Sequence, residues 1–218
     1  MINFEILMNN CAKQWYEYTN HEFVEKLKLG TLPIKNFQHY LCQDYLFLME
    51  YSKAWEYAVH NAKNISEREF AYKNLRDLLD GEIELHISYC ADWNISKEQV
   101  FATKQHANNK AYTDYVIDFG KNGSYIDMIT ALAPCAIGYA EIGKRIITDK
   151  NTNKENNPYK SWIDVYCSNE FIQKGEEFKS FMSKVYDGIS QDEIEKQKHI
   201  FKKATELEIG FWDMGMEK

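Results

Sequence analysis

The chain has 218 residues, with 26 Lys+Arg against 33 Asp+Glu and a formal charge of −7. No Lys/Arg cluster stands out on that acidic background, which argues against a nucleic-acid partner. With 44% apolar and 27% charged residues the chain is globular rather than disordered, and only 3 Pro and 10 Gly are too few turn residues for a sandwich or barrel.

The remaining reading is all-helical, and the punctuation divides it into blocks. Residues 3–29 predict two helices with a joint near Thr19-Asn20-His21. Gly30-Thr31-Leu32-Pro33 is a stop and a restart, with Gly past one helix end and Pro near the next beginning. Residues 34–61 predict one long helix. A block from 64 to Trp93 follows, with Ser66 and Glu69 spaced as a capping box. Ser96 and Gln99 repeat that signature before residues 97–119, and Gly120 to Ser124 form a turn. Residues 125–148 predict a helix, Asp149 to Pro158 a polar loop, and residues 159–167, 169–187 and 191–213 the last helices. Ser190 and Glu193 make a third capping box. There is no internal repeat and no linker long enough to separate domains, so the expectation is a single all-α domain over residues 1–218.

The compartment is read from what the sequence lacks. Met1-Ile2-Asn3-Phe4-Glu5 has no basic n-region and no apolar h-region. No stretch approaches the ~20 apolar residues of a bilayer span, so no membrane contact is expected. The 5 cysteines are odd in number and scattered, against a disulfide framework or a thiolate zinc site. A reducing, cytoplasmic setting is expected.

Polar residues interrupt the apolar helix stripes. In the long helix the line Phe37, Leu41, Asp44, Leu48, Tyr51, Trp55, Ala58 steps by three and four and contains Asp44. In the last helix Glu208 lies in the line Phe201, Ala204, Glu208, Phe211, beside Trp212. In the 64–93 block the line Ala71, Leu75, Leu78, Glu82, Leu85, Tyr89 contains Glu82, and His86 is most simply its i,i+4 partner. The 125–148 line is Met128, Leu132, Cys135, Tyr139, Ile142, Ile146. Burying ionised carboxylates without partners costs several kcal/mol, so three of them on inward faces suggest a polar pocket. Each residue alone has a plainer reading: Asp44 or Glu208 as an interhelical hydrogen-bond partner, Cys135 as a small hydrophobe, Tyr112, Tyr139 and Tyr166 as core. His21, His39, His60, His106 and His199 read as surface or structural. Cys135 has one further feature: it follows Pro134 inside a helical run, where a proline removes a hydrogen bond and predicts a kink. The residues around it are small, which leaves its sulfur approachable. A nucleophilic thiol also needs a base or a charge-stabilising donor.

Four segments together resemble the TenA family of thiaminase II enzymes, also called aminopyrimidine aminohydrolases. They are Gly30-Thr31-Leu32-Pro33 with Phe37, Tyr40-Leu41 and Gln43-Asp44-Tyr45; Ala133-Pro134-Cys135 with Gly138-Tyr139-Ala140-Glu141-Ile142-Gly143; Trp162 to Phe171; and Ala204-Thr205-Glu206-Leu207-Glu208 with Phe211-Trp212-Asp213-Met214. They span nearly the whole chain in the family's order, with Tyr112 where the family places a tyrosine. The resemblance implies a single-domain helical bundle of the haem-oxygenase-like (TenA/PqqC) type without haem. It implies hydrolysis of 4-amino-5-aminomethyl-2-methylpyrimidine, and of thiamine, to the hydroxymethyl pyrimidine, in thiamin salvage, with no cofactor and in a homotetramer. Cys135 maps to the nucleophile and Glu208 to the proton donor and acceptor. Asp44 maps to the residue that binds the aminopyrimidine. Tyr139 and Tyr166 contribute to substrate binding, and Tyr112 assists the cysteine. Phe47 lines the planar ring.

The chemistry agrees with these residue types. A thiolate added to the electron-poor ring breaks its aromaticity and lets electrons expel the leaving group. General-acid help at a ring nitrogen contributes typically ~10²–10⁴-fold. Two positions depart from the family: Phe47 stands where Tyr is common, and Ala136-Ile137 follow the cysteine where an aromatic residue is common. Two alternatives belong to other classes. One is a carboxylate-bridged di-metal oxidase using Glu56 with His60 and Glu82 with His86, although its usual spacing is Glu-x-x-His. The other is a helical protein that holds a pyrimidine without turning it over.

Overall fold

A computed structural model describes residues 4–217, apart from the side chains of residues 82, 84 and 85. Among the described residues the regular structure is helical throughout, with no strand. Two compact units emerge: one comprises residues 1–32 and 129–213, the other residues 33–128 and 214–218.

The first unit begins with α1 (Phe4–Asn10), α2 (Ala12–Thr19) and α3 (Glu22–Leu29). The expected two helices are three, because the chain breaks at Cys11 as well as at Asn20. The His21 ring accepts the Phe23 amide and caps α3, and Gly30 closes it in the left-handed conformation at φ 74°. The unit continues with α9 (Tyr125–Thr148, from residue 129), α10 (Lys160–Tyr166), α11 (Asn169–Val185) and α12 (Gln191–Met216, to residue 213). The Ser190 hydroxyl accepts the Glu193 amide at 3.2 Å at the start of α12, as its spacing predicts. Rings fill the interior. Trp15 stacks on Phe201 with centroids 5.6 Å apart, and Phe23 on Trp212 at 5.0 Å. Lys28 is only 4% exposed and is held by Glu25 at 2.6 Å and Asp149 at 2.5 Å, while Arg145 of α9 pairs with the same Glu25. A buried ammonium is tolerable here because two carboxylates face it.

Helix α9 corrects one expectation. It is long and apolar enough to cross a membrane by length and composition, but 78% of its apolar window is buried within the protein. Its hydropathy is that of a core helix.

The second unit is built on α4 (Ile34–Asn61), with the predicted 34–61 boundaries. Against it lie α5 (Ile65–Asp77), a π-helical turn (Leu78–Glu82), α6 (Ile83–Asp92), α7 (Lys97–Ala102) and α8 (Ala107–Asn122). Three details differ from the sequence reading. The cap of α5 is Asn64, whose side chain accepts the Glu67 amide at 3.0 Å while Glu67 takes the Lys63 amide; Ser66 is one step inside the helix. The 64–93 block is interrupted by the π turn. The expected 97–119 helix is two helices, and the Ser96–Gln99 capping box starts only the first.

The second break has a visible cause. Gln43 on α4 donates to the Lys104 carbonyl at 2.9 Å and accepts the His106 amide at 2.9 Å. Asn109 returns the contact, donating to the Gln43 carbonyl at 2.7 Å. One side chain therefore satisfies the backbone where α7 has ended and α8 has not begun. The His106 ring accepts the Asn108 amide and completes the α8 cap.

Candidate active site

In the first unit, α9 carries Cys135 and Tyr139 four residues apart, hence on one face. The helix continues through Pro134, whose carbonyl accepts the Tyr18 hydroxyl at 3.4 Å. Gly138 permits that ring: a Cβ there would lie 2.2 Å from Tyr18 Cε1. Gly143 plays the same part toward α10, since its Cβ would lie 1.9 Å from the Tyr166 carbonyl oxygen. The close approach is fastened by Cys167, whose thiol donates to the Gly143 carbonyl at 3.3 Å. Tyr166 is thereby seated with its ring 5.0 Å from Tyr139 and 4.3 Å from Trp162. Tyr139 also lies 5.3 Å from Trp212 on α12. One turn before Trp212 is Glu208, only 1% exposed. The first unit thus gathers Tyr139, Tyr166, Trp162 and Trp212 into one aromatic cluster, with Cys135 and Glu208 each one turn from a member of it.

Four of the five cysteines carry thiols raised by burial. Burial pushes the thiols of Cys11 and Cys167 up to about 11 and that of Cys90 up to about 12, and raises that of Cys42. These four stay protonated at neutral pH and are poor nucleophiles. Cys135 is half-buried.

In the second unit the Gln43–Asn109 clasp sets the register between α4 and α8. One turn beyond each clasp residue stand Phe47 and Tyr112, whose rings stack with centroids 5.2 Å apart at 28°. Tyr51 extends the stack, 5.1 Å from Phe47. Asp44 follows Gln43 and is only 6% exposed. Burial raises its carboxyl to about 6, against the opposing pull of His86 and a hydrogen bond from Tyr40. The His86 ring stands 3.5 Å from Asp44 Oδ2 through Nδ1 and 2.7 Å from the Leu41 carbonyl through Nε2.

The profile of the TENA/THI-4/PQQC family matches residues 9–218. The chain belongs to this family. A protein from Helicobacter pylori named aminopyrimidine aminohydrolase is 31% identical over 214 residues, 98% of each chain. An uncharacterised protein of Haemophilus influenzae is 42% identical over 213 residues, again 98% of each. Among solved structures, one from Silicibacter sp. TM1040 described as a TenA family transcription regulator superposes with a TM-score of 0.93 at 37% identity, covering 99% of this chain and 96% of that one. The fold is the haem-oxygenase-like one. A Shewanella denitrificans domain described as having that fold superposes with a TM-score of 0.78 at 13% identity, covering 99% and 93%.

Within this TenA-family chain the inward placement of Asp44 and Glu208 follows the stripes read from sequence. The pairing of His86 with Glu82 falls on a side chain outside the described residues; His86 itself faces α4. The extra residue of the π turn advances the helical phase by ~100°, and among the described residues between Leu78 and Trp93 the buried ones are His86 and Cys90, with the expected Tyr89 half-buried. Glu56 and His60, the other pair of the di-metal reading, are both exposed. No group of three His, Cys, Asp or Glu side chains able to hold a metal occurs among the described residues. Sequence reasoning missed Gln43 and Asn109 as the clasp beneath Phe47 and Tyr112. Two amides pointing into an otherwise apolar interface were the available signal.

Proposed function

We propose that this chain is an aminopyrimidine aminohydrolase. It replaces the exocyclic amine of 4-amino-5-aminomethyl-2-methylpyrimidine, or the thiazolium of thiamine, by hydroxyl from water. The observation that carries the reading is family membership over residues 9–218, with a full-length relative of that name at 31% identity. The side chains of this chain support it: a half-buried thiol at Cys135, a fully buried carboxylate at Glu208, and two ring clusters suited to a flat heterocycle.

In this reading the Cys135 thiolate adds to a ring carbon and Glu208 protonates a ring nitrogen, which relieves the charge that the addition creates. The electron pair of the interrupted ring expels the amine from the exocyclic carbon. Water adds at that carbon, Glu208 recovers its proton, the carbon–sulfur bond breaks and the ring is restored. Asp44 receives the amino edge of the pyrimidine. Tyr139 and Tyr166 line the ring, Tyr112 assists the cysteine, and Phe47 supplies a ring face without a hydroxyl. The sequence of steps consumes one water and releases one amine with no net redox change. The family resemblance further supports one functional domain acting as a cytoplasmic homotetramer on a small molecule.

Incubation with the aminomethyl pyrimidine tests this reading. Stoichiometric ammonia and hydroxymethyl pyrimidine are the expected products by chromatography. No product at enzyme concentrations approaching that of the substrate contradicts it.

A further inference from the structure

Asp44 is not left to itself in the second unit. His86 is 9% exposed, and its ring makes one hydrogen bond through Nε2 and a longer polar approach to Asp44 through Nδ1. A backbone carbonyl only accepts, so the contact between Nε2 and the Leu41 carbonyl at 2.7 Å puts the proton on Nε2. That leaves Nδ1 facing Asp44 Oδ2 at 3.5 Å. At that distance the imidazole stands beside the carboxyl as a polar neighbour that reaches it from another helix. The approach of His86 depends on the π turn at Leu78–Glu82, without which a regular helix turns another face toward α4. π turns of this kind are frequent at functional sites.

We propose that His86 is a positioning residue of the aminopyrimidine site. It braces the Asp44 carboxyl, from a helix other than its own, for the amino edge of the substrate. The inference rests on the aminohydrolase reading. Burial alone drives Asp44 toward the neutral acid, and its raised carboxyl near 6 makes control of its proton consequential at working pH. Tyr40 bonds the carboxyl from α4 itself, and His86 adds a second polar neighbour from α6.

Two isosteric variants separate the functions of the ring. His86→Gln places an amide donor where Nε2 stands, keeping the Leu41 contact and deleting the group that faces Asp44. His86→Asn places an amide where Nδ1 stands, keeping the Asp44 contact and deleting the other. Calorimetric titration with the hydroxymethyl pyrimidine and steady-state hydrolysis are read for wild type and both variants. The expected result is an affinity loss and KM increase of roughly tenfold or more in His86→Gln, with kcat within about threefold, and substantial retention of affinity in His86→Asn. Equal affinity in wild type and His86→Gln overturns the inference while leaving the aminohydrolase reading intact. Equal losses in both variants, tracking a drop in thermal stability, also overturn it, because packing then suffices. A wild-type chain that neither binds nor hydrolyses the pyrimidine overturns both readings. A measurement on the free protein guards against a variant that does not fold. In ¹⁵N spectra of histidine-labelled chain, the His86 Nδ1 resonance is expected to move on Asp44→Asn while Nε2 keeps its proton. An unmoved Nδ1 overturns the inference.

Discussion

Asp44 is the residue at which sequence and environment disagree most. Its slot in the stripe of α4 calls for an apolar side chain, and the structure buries a carboxyl there whose proton affinity is raised to about 6 from 3.8. The raised value means that the folded protein binds the proton more tightly than the unfolded chain. The contribution of this group to stability is therefore full below about pH 4 and is lost as pH rises through 6. A shift of that size corresponds to roughly 3 kcal/mol. Urea unfolding of wild type and Asp44→Asn is expected to show the variant gaining on wild type by ~1–3 kcal/mol between pH 4 and pH 7.5. A difference flat with pH contradicts the burial argument. Asp44 and Glu208 were legible in the sequence because a charged residue in an apolar stripe is conspicuous. His86 was not, because its partner lies on another helix and a phase change in its own helix separates it from the periodicity that precedes it.

At the scale of elements, helices with one unbroken phase and clear ends were readable to within a residue or two. Examples are α4 between Pro33 and Asn61 and α9 from Tyr125 to Thr148. Two of the misses have a visible cause: a tertiary side chain, Gln43 at the α7–α8 break, or a neighbouring residue of the same capping type, Asn64 at α5, satisfied the backbone instead of the expected group. Asn64, not Ser66, caps the first turn of α5 by accepting the Glu67 amide. Asn64→Ala is expected to lower unfolding free energy by ~1 kcal/mol and Ser66→Ala by under ~0.5 kcal/mol, as measured by denaturant titration. The reverse order restores the sequence reading. Gly143 belongs to the same scale. Its missing side chain lets α9 pass the end of α10, and any Cβ meets backbone rather than a flexible side chain. Gly143→Ala is expected to cost at least ~2 kcal/mol and to disturb the Tyr139–Tyr166 contact, visible as an altered near-ultraviolet dichroism. A neutral substitution contradicts that geometry.

For the whole molecule, the composition alone pointed away from β architectures, and the segment order pointed to the family that the profile over residues 9–218 establishes. What the composition did not reveal is the role of α9, whose apolar length matches a membrane span while most of it is core. The functional account rests on covalent chemistry at a single sulfur, for which the sequence offered a mid-helix Pro134 and small neighbours and the structure offers a half-buried thiol. The measurement that bears on it most directly compares wild type with Cys135→Ser, reading hydrolysis of the aminomethyl pyrimidine and binding of the hydroxymethyl pyrimidine on the same preparations. The account predicts turnover reduced by at least ~10³-fold in the serine variant with product affinity nearly unchanged. Turnover that survives the substitution, or a parallel loss of binding and rate, contradicts it.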